Sequence, residues 1–270
     1  GLPADRRWTG DGLTGRRICL VREQGLGDTL QFLRYGLRLR EEGAIPYLNV
    51  QPSLRALLAG SPASGRVLMP GVTVDLDRWI HLVDLTPAFT ETALDITWPG
   101  AYVSPLASDT PVALPSTSRG QLRVGLAWSG NPKYPSDPLR SMELRELRNL
   151  RQVPNCQFYS LMPTPVDQWG YGTDRSWVVD LSSLSSPFEE LARVIDRMDV
   201  VVTVCTSIAH LAGAMGKPVF ILLAAHPDWR WGRDGSTSPW YPSARLFRQI
   251  RYGDWSHPVD GAAEALAALT

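Results

Sequence analysis

Four stretches of this 270-residue chain gather side chains able to do chemistry. The first is EQGLGDTLQF, Glu23 to Phe32. Gly25 and Gly27 permit a tight turn with close backbone approach, and Asp28 follows at the mouth of a helix. A carboxylate placed there can act as a general base, or it can simply cap the helix. The glycines do not complete G-x-G-x-x-G, because no third glycine arrives in place, so a nicotinamide site fits poorly.

The second stretch is VVTVCTSIAHLAGAMGKP, Val201 to Pro218. An apolar strand runs into Cys205, then Thr206 and Ser207 open a helix, with His210 in its first turn. A helix start offers unpaired amides and a positive dipole end, which attract phosphate. Thr206, Ser207 and His210 would donate to such an anion; alternatively they cap the helix and decorate its surface. In the third stretch, LAWSGNPKYPSDPLRSMEL, a strand ends in Ser129, Gly130 and Asn131, followed by Lys133 and Arg140. Hydroxyl, amide and cationic donors on one loop suit phosphate oxygens. The fourth, His226 to Gln249, reads as a long aromatic loop: four of the ten tryptophans lie between Trp229 and Trp255. Indole faces pack on sugars and bases, and Arg230 and Arg233 add contacts to anions.

Elements that would position these residues alternate between strand and helix. RRICLV predicts a strand, TLQFLRYGLRLREEG a helix stopped by Gly43, IPYLNV a strand, PSLRALLAG a short helix and RVLMPG a third strand. The pattern thins after HLVDLTPAF, and residues 106–120, rich in Pro, Ser and Ala, read as a linker. The alternation then restarts: LRVGLAWSG strand, SMELRELRNLRQV helix, CQFYSLM strand, SPFEELARVIDRM helix, DVVVTV strand, SIAHLAGAMG helix, PVFILLA strand. Two α/β units of Rossmann type are expected, residues 1–105 and 121–256, with a last helix over 257–270. Their parallel sheets would face a cleft at the carboxyl ends of the strands.

Composition narrows the function classes. Lys+Arg and Asp+Glu balance at 27 each, which argues against a nucleic-acid partner. Cys19, Cys156 and Cys205 match no zinc or redox spacing and fit a reducing, cytoplasmic setting. The opening GLPADRRWTGDG lacks the apolar run of a signal peptide, and no stretch has the length of a membrane span.

EQGLGDTLQFLRY, VGLAWSGNP with its later RS, DVVVTVCTSIAHLAGAMGKPV and PDWRW with SPWYPSARLFRQ together resemble a bacterial glycosyltransferase family. These are the heptosyltransferase-like domains of family 9 type, often found at the C-terminal end of tetratricopeptide-repeat proteins. The resemblance runs from about Trp8 to Trp255, with four motifs in order. It implies a GT-B fold, a nucleotide-sugar held by the C-terminal unit and a glycan, lipid-linked or protein acceptor facing the N-terminal one. It further implies inverting transfer with neither metal nor cofactor beyond the nucleotide-sugar.

Carried over by position, the resemblance makes Asp28 the catalytic base, with Gly25, Gly27 and Gln31 as a loop near the acceptor. It assigns Ser129, Gly130, Asn131 and Arg140 to phosphates or nucleotide, Thr206, Ser207 and His210 to the diphosphate, and Asp228, Trp229 and Arg230 to the donor. Cys205, also on the donor side, stands where the family commonly has aspartate, and Met162 replaces a common glutamine. A non-catalytic module that binds glycan or nucleotide is the alternative. An epimerase or phosphorylase of related fold is a third reading, although Lys133 and Lys217 lack a pyridoxal context.

Overall fold

The structure, a computed structural model, describes residues 2–23, 25–61, 65–90, 92, 95–107, 112–170 and 173–270. Gln24 of the first motif and residues 108–111 of the expected linker lie outside the described residues.

The N-terminal lobe is a four-stranded parallel sheet: β1 (Arg17–Val21), β2 (Ile45–Asn49), β3 (Arg66–Val67) and β4 (Arg78–His81), in the order β3-β2-β1-β4. Its helices are α1 (Leu26–Phe32), α2 (Arg34–Glu41), α3 (Arg55–Ala59) and α4 (Leu85–Phe89). The C-terminal lobe holds six parallel strands, β5 (Leu122–Ala127), β6 (Cys156–Ser160), β7 (Val178–Asp180), β8 (Val200–Val204), β9 (Val219–Leu223) and β10 (Ala244–Arg248). They run in the order β10-β9-β8-β5-β6-β7, the doubly wound arrangement of a dinucleotide-binding sheet. With it come α5 (Asp137–Arg140), α6 (Phe188–Asp196), α7 (Ser207–Ala214) and α8 (Ser256–Ala267). This is an α/β fold of two parallel sheets, the GT-B class that the sequence predicts.

Strand composition follows the layering. VVVTV of β8 and VFILL of β9 are buried at every position, as befits central strands covered on both faces. Three strands escape the sequence pattern. β4 and β7 are short and half-buried, so neither shows a continuous apolar run. β10 emerges from the segment expected to be loop, because Ala244 to Arg248 finds a free edge beside Val219 to Leu223.

Two helices also differ from expectation. The predicted helix over 29–43 starts earlier and breaks at Leu33, where Gly36 N–H donates to the Leu33 carbonyl in a tighter three-residue turn. Residues Leu144–Gln152 form a 3₁₀ run rather than an α-helix. Leu144, Leu147 and Leu150 recur every third residue and all are buried, and a period of three aligns them only on a 3₁₀ helix. The third strand is trimmed to two residues, Arg66–Val67.

The lobes meet over an extensive surface. α1 lies against α7, and backbone N–H groups of Tyr102 and Val103 both donate to the Ala214 carbonyl at 3.0 and 3.3 Å. Leu106 N–H donates to Glu189 Oε1 at 2.9 Å. At the centre Arg34, only 3% exposed, donates from Nη1 to the Trp240 carbonyl at 2.7 Å and from Nη2 to Tyr102 Oη at 3.2 Å. Its guanidinium lies over the rings of Tyr241, Trp240 and Tyr102 at 4.9, 5.2 and 5.3 Å. An arginine thus crosses an apolar interface inside an aromatic box, its charge facing π electrons and backbone oxygen. Among the described residues no helix is long and apolar enough to cross a membrane.

Candidate functional site

In a doubly wound sheet the crevice opens where strand order reverses, outside the carboxyl ends of the two strands flanking that point. In the N-terminal lobe these strands are β1 and β4, and in the C-terminal lobe β5 and β8. The first motif leaves β1, the third leaves β5 and the second leaves β8. Topology therefore brings three motifs, far apart in sequence, to two facing switch points.

Beside the switch point of the N-terminal lobe lies a cleft of about 230 Å³, closed on its far side by the loop after β9. Glu23, Asp28, Thr29 and Phe32 line it from the β1–α1 side, Leu82 and Val83 from beyond β4, and Asp228, Trp229 and Arg230 from the opposite lobe. Asp28 is the third residue of α1, and its Oδ2 accepts the Gly25 N–H at 2.9 Å. Its Oδ1 accepts from Arg230 Nη2. Arg230 Nη1 donates to both Asp228 oxygens, at 2.8 and 3.0 Å. Asp228 also caps its own 3₁₀ turn, Trp229–Trp231, by accepting the Arg230 N–H at 3.1 Å. The two readings of Asp28 thus coexist: it holds the helix start and faces the cleft.

Of the three residues expected in a loop near the acceptor, only Gly25 precedes the helix. Gly27 is inside α1, and its missing side chain has a packing reason. A Cβ there would lie 2.7 Å from His210 Cδ2, so α1 can approach α7 only with glycine. Gln31 is on α1 too and wholly buried, with neither side-chain polar atom hydrogen-bonded. It belongs to the lobe interface, not to a loop.

His210 differs most from expectation. It is 5% exposed, stacks on Trp231 at 5.3 Å and meets Tyr241 Oη through Nδ1 at 3.0 Å. Burial first, then the charges of Arg230, Arg34 and Arg140, push its pKa down to about 3. It is a neutral packing group between helices, neither exposed on the helix surface nor open to an anion at the helix start. A hydrophobic, small-residue helix such as SIAHLAGA has no polar face to carry it outward.

The loop after β5 is organised by a residue that the motif reading passed over. Asp137, buried, accepts from Ser141 Oγ at 2.8 Å and Arg140 Nε at 3.1 Å, and Ser141 Oγ in turn accepts the Gly130 N–H at 2.9 Å. Arg140 Nη1 donates to the Cys205 carbonyl at 2.9 Å, tying the β5 loop to the β8–α7 turn. Only the run SDPLRS, with acid, arginine and hydroxyl one helical turn apart, signals this cluster. Ser129 is half-buried and Asn131 exposed, with Asn131 Oδ1 accepting the Lys133 N–H at 3.0 Å.

At α7 itself, Thr206 is the N-cap: its hydroxyl accepts the Ile208 N–H at 3.3 Å. Ser207, half-buried, follows as the first helical residue. Cys205 Sγ accepts the Trp231 indole N–H at 3.0 Å, and burial raises its pKa although that bond lowers it. It is a neutral thiol where the family resemblance expects a carboxylate. Met162 is buried just past the end of β6, its N–H donating to Ser160 Oγ at 3.2 Å. Among the described residues no three His, Cys, Asp or Glu side chains converge in a metal-binding group.

Residues 185–256 match the model of glycosyltransferase family 9 (heptosyltransferase). That segment carries Cys205 to His210 and Asp228 to Arg230. Among curated proteins, FlbA of Caulobacter vibrioides is 24% identical, the match covering 96% of this chain and 48% of that protein. The chain thus spans about half the length of that relative. Among solved structures, a family 9 glycosyltransferase from Veillonella parvula superposes with a TM-score of 0.62 at 11% identity, covering 97% of this chain and 99% of that one. ADP-heptose LPS heptosyltransferase II of E. coli gives 0.58 at 15% identity, covering 94% and 98%. E. coli heptosyltransferase WaaC, solved with ADP-2-deoxy-2-fluoro heptose, gives 0.58 at 13%, covering 94% and 100%. The chain therefore has the fold of the heptosyltransferases along nearly all its length, and the family 9 sequence pattern across the turn and loop of its C-terminal lobe.

Proposed function

We propose that this chain transfers a sugar from a nucleotide-sugar to a hydroxyl acceptor, inverting the anomeric carbon and using Asp28 as general base, without a metal. The observation that carries this reading is Asp28 at the switch point of the N-terminal lobe, paired across the cleft with Arg230 from the loop after β9. An ADP-sugar is the first donor to try, because the WaaC structure was solved with an ADP-heptose analogue.

In this mechanism the donor diphosphate draws Arg230 from Asp28, freeing a carboxylate oxygen. Asp28 then accepts the acceptor O–H proton while the acceptor oxygen bonds to the anomeric carbon. The bond from that carbon to the phosphate oxygen breaks, and its electron pair leaves with the nucleoside diphosphate. Amides at the start of α7, the Ser207 hydroxyl and Arg140 stabilise the charge that grows there. The three free thiols suit a reducing cytoplasm, where we place the protein.

A direct test is consumption of ADP-sugars and of their UDP, GDP and CMP counterparts, with the product's anomeric configuration read by NMR. Wild type should consume one nucleotide family and Asp28→Asn should not. Equal turnover by the variant would remove Asp28 from the chemistry. A second reading, a non-catalytic binding module, is favoured by Cys205, whose thiol is engaged by Trp231 and offers no carboxylate. Nucleotide binding with no turnover for any acceptor would select it.

A further inference from the structure

We propose that the cleft beside Asp28 takes an uncharged, polyhydroxylated acceptor, the terminal unit of a neutral glycan, and discriminates against anionic ones. The word acceptor rests on the transfer reading above; the chemistry of the cleft does not.

Charge is the first argument. Among the described residues lining the cavity, Glu23, Asp28 and Asp228 face a single guanidinium, that of Arg230. Arg230 donates to both aspartates, and where a donor diphosphate draws it off it serves that anion, so in neither state does it remain for an acceptor's phosphate, sulfate or carboxylate. A second anionic group brought into this concave, half-enclosed space meets net negative charge, where repulsion is least screened. Glu23 also has an imidazole neighbour, His81 Nδ1 at 3.6 Å.

Hydrogen-bonding chemistry is the second. Carboxylates are strong acceptors for hydroxyl groups, and adjacent sugar hydroxyls can donate to one carboxylate together. A polyol offers such paired donors and carries no charge of its own.

Shape is the third. Trp229 is 59% exposed at the rim, an unusual setting for so large an apolar ring. Its indole rests edge-on to Trp240, with ring centroids 6.0 Å apart, and Arg230 lies 4.8 Å from its centroid. Held thus, it presents a rigid apolar surface to the C–H face of a sugar ring, while Phe32 lines the opposite lobe's share of the cavity. A cavity of about 230 Å³ is below the usual range for drug-sized ligands, and fits one terminal sugar rather than a lipid.

Saturation-transfer NMR and calorimetry on the whole chain would test this with pairs that differ in charge at nearly constant size: methyl glucoside against methyl glucuronide, and methyl galactoside against methyl galacturonide. The neutral member should bind at millimolar concentration and its anionic partner about tenfold more weakly, or worse. Trp229→Ala should abolish saturation transfer to the neutral sugars, and Glu23→Gln should narrow the gap between members of a pair. Equal or tighter binding of the anionic members overturns the proposal, as does absence of neutral binding or indifference to Trp229→Ala. Melting curves with nucleotides separate this from the transfer reading. If no nucleotide stabilises the protein yet the neutral preference holds, transfer fails and a neutral-glycan site stands. If nucleotides bind and anionic glycans win, only the present proposal falls.

Discussion

Asp28 and Arg230, 202 positions apart in the chain, form an ion pair that joins the two lobes in the wall of the cleft. One oxygen of the proposed base is thereby occupied by a residue of the C-terminal lobe, and the other by the Gly25 N–H. Removing the base should lower transfer by a factor of about 10²–10⁴, the usual worth of general-base catalysis. Arg230→Ala should also slow transfer, while raising KM for the nucleotide-sugar more than Asp28→Asn does. Steady-state kinetics of the two variants check this; an unchanged KM in Arg230→Ala would separate Arg230 from the donor.

Neutral burial of His210 makes stability depend on pH. Its pKa is depressed to about 3 in the fold, against about 6.5 in the unfolded chain, so the unfolded state binds the extra proton between these values. Stability from this group is complete above pH ~6.5 and is lost progressively as pH falls toward 3, by an amount on the order of a few kcal/mol. Urea midpoints of wild type and His210→Gln, measured from pH 7 to pH 4, should show a steeper fall in wild type. Parallel slopes would mean that His210 is not buried as a neutral ring.

Gly27 and His210 should behave as a coupled pair. Gly27→Ala forces a methyl against His210 Cδ2, an overpacking worth about 1–3 kcal/mol in a close-packed helix contact. His210→Ala makes room, so the double variant should lose less than the sum of the singles. Additive losses in a double-mutant cycle would deny the contact.

Arg34→Lys is expected to destabilise the protein by about 2 kcal/mol despite conserving charge. A lysine cannot reach the Gln31 and Trp240 carbonyls and the Tyr102 hydroxyl with one planar fork. Thermal unfolding reads the loss, and a cost near zero would show that the aromatic box needs only a cation.

Thiol chemistry gives an inexpensive check on burial. Burial pushes the Cys19 pKa up to about 11, and raises those of Cys156 and Cys205. Little thiolate exists at pH 8, so Ellman's reagent should label native protein slowly and all three cysteines rapidly in urea. Rapid labelling of Cys205 in the native state would mean that its contact with the Trp231 indole opens.

By itself the sequence determined the alternation of apolar strands and helices, and hence two parallel sheets, because buried strands such as VVVTV and VFILL need no partner to be recognised. It also set out the chemistry-bearing types in order: Asp28 after a glycine turn, hydroxyls after β8, arginines and indoles after β9. What it left open were the weak elements. β4, β7 and β10 are strands only because a neighbouring edge accepts their backbone, and the 3₁₀ run over Leu144–Gln152 depends on which face three leucines can bury. Roles within the site were likewise decided in three dimensions. Thr206 turned out to cap, His210 to pack and Asp137 to organise, although hydroxyl, imidazole and carboxylate are equally able to bind a ligand. Side-chain type fixes what a residue can do; burial and the nearest charge, both products of the tertiary fold, fix which of those things it does.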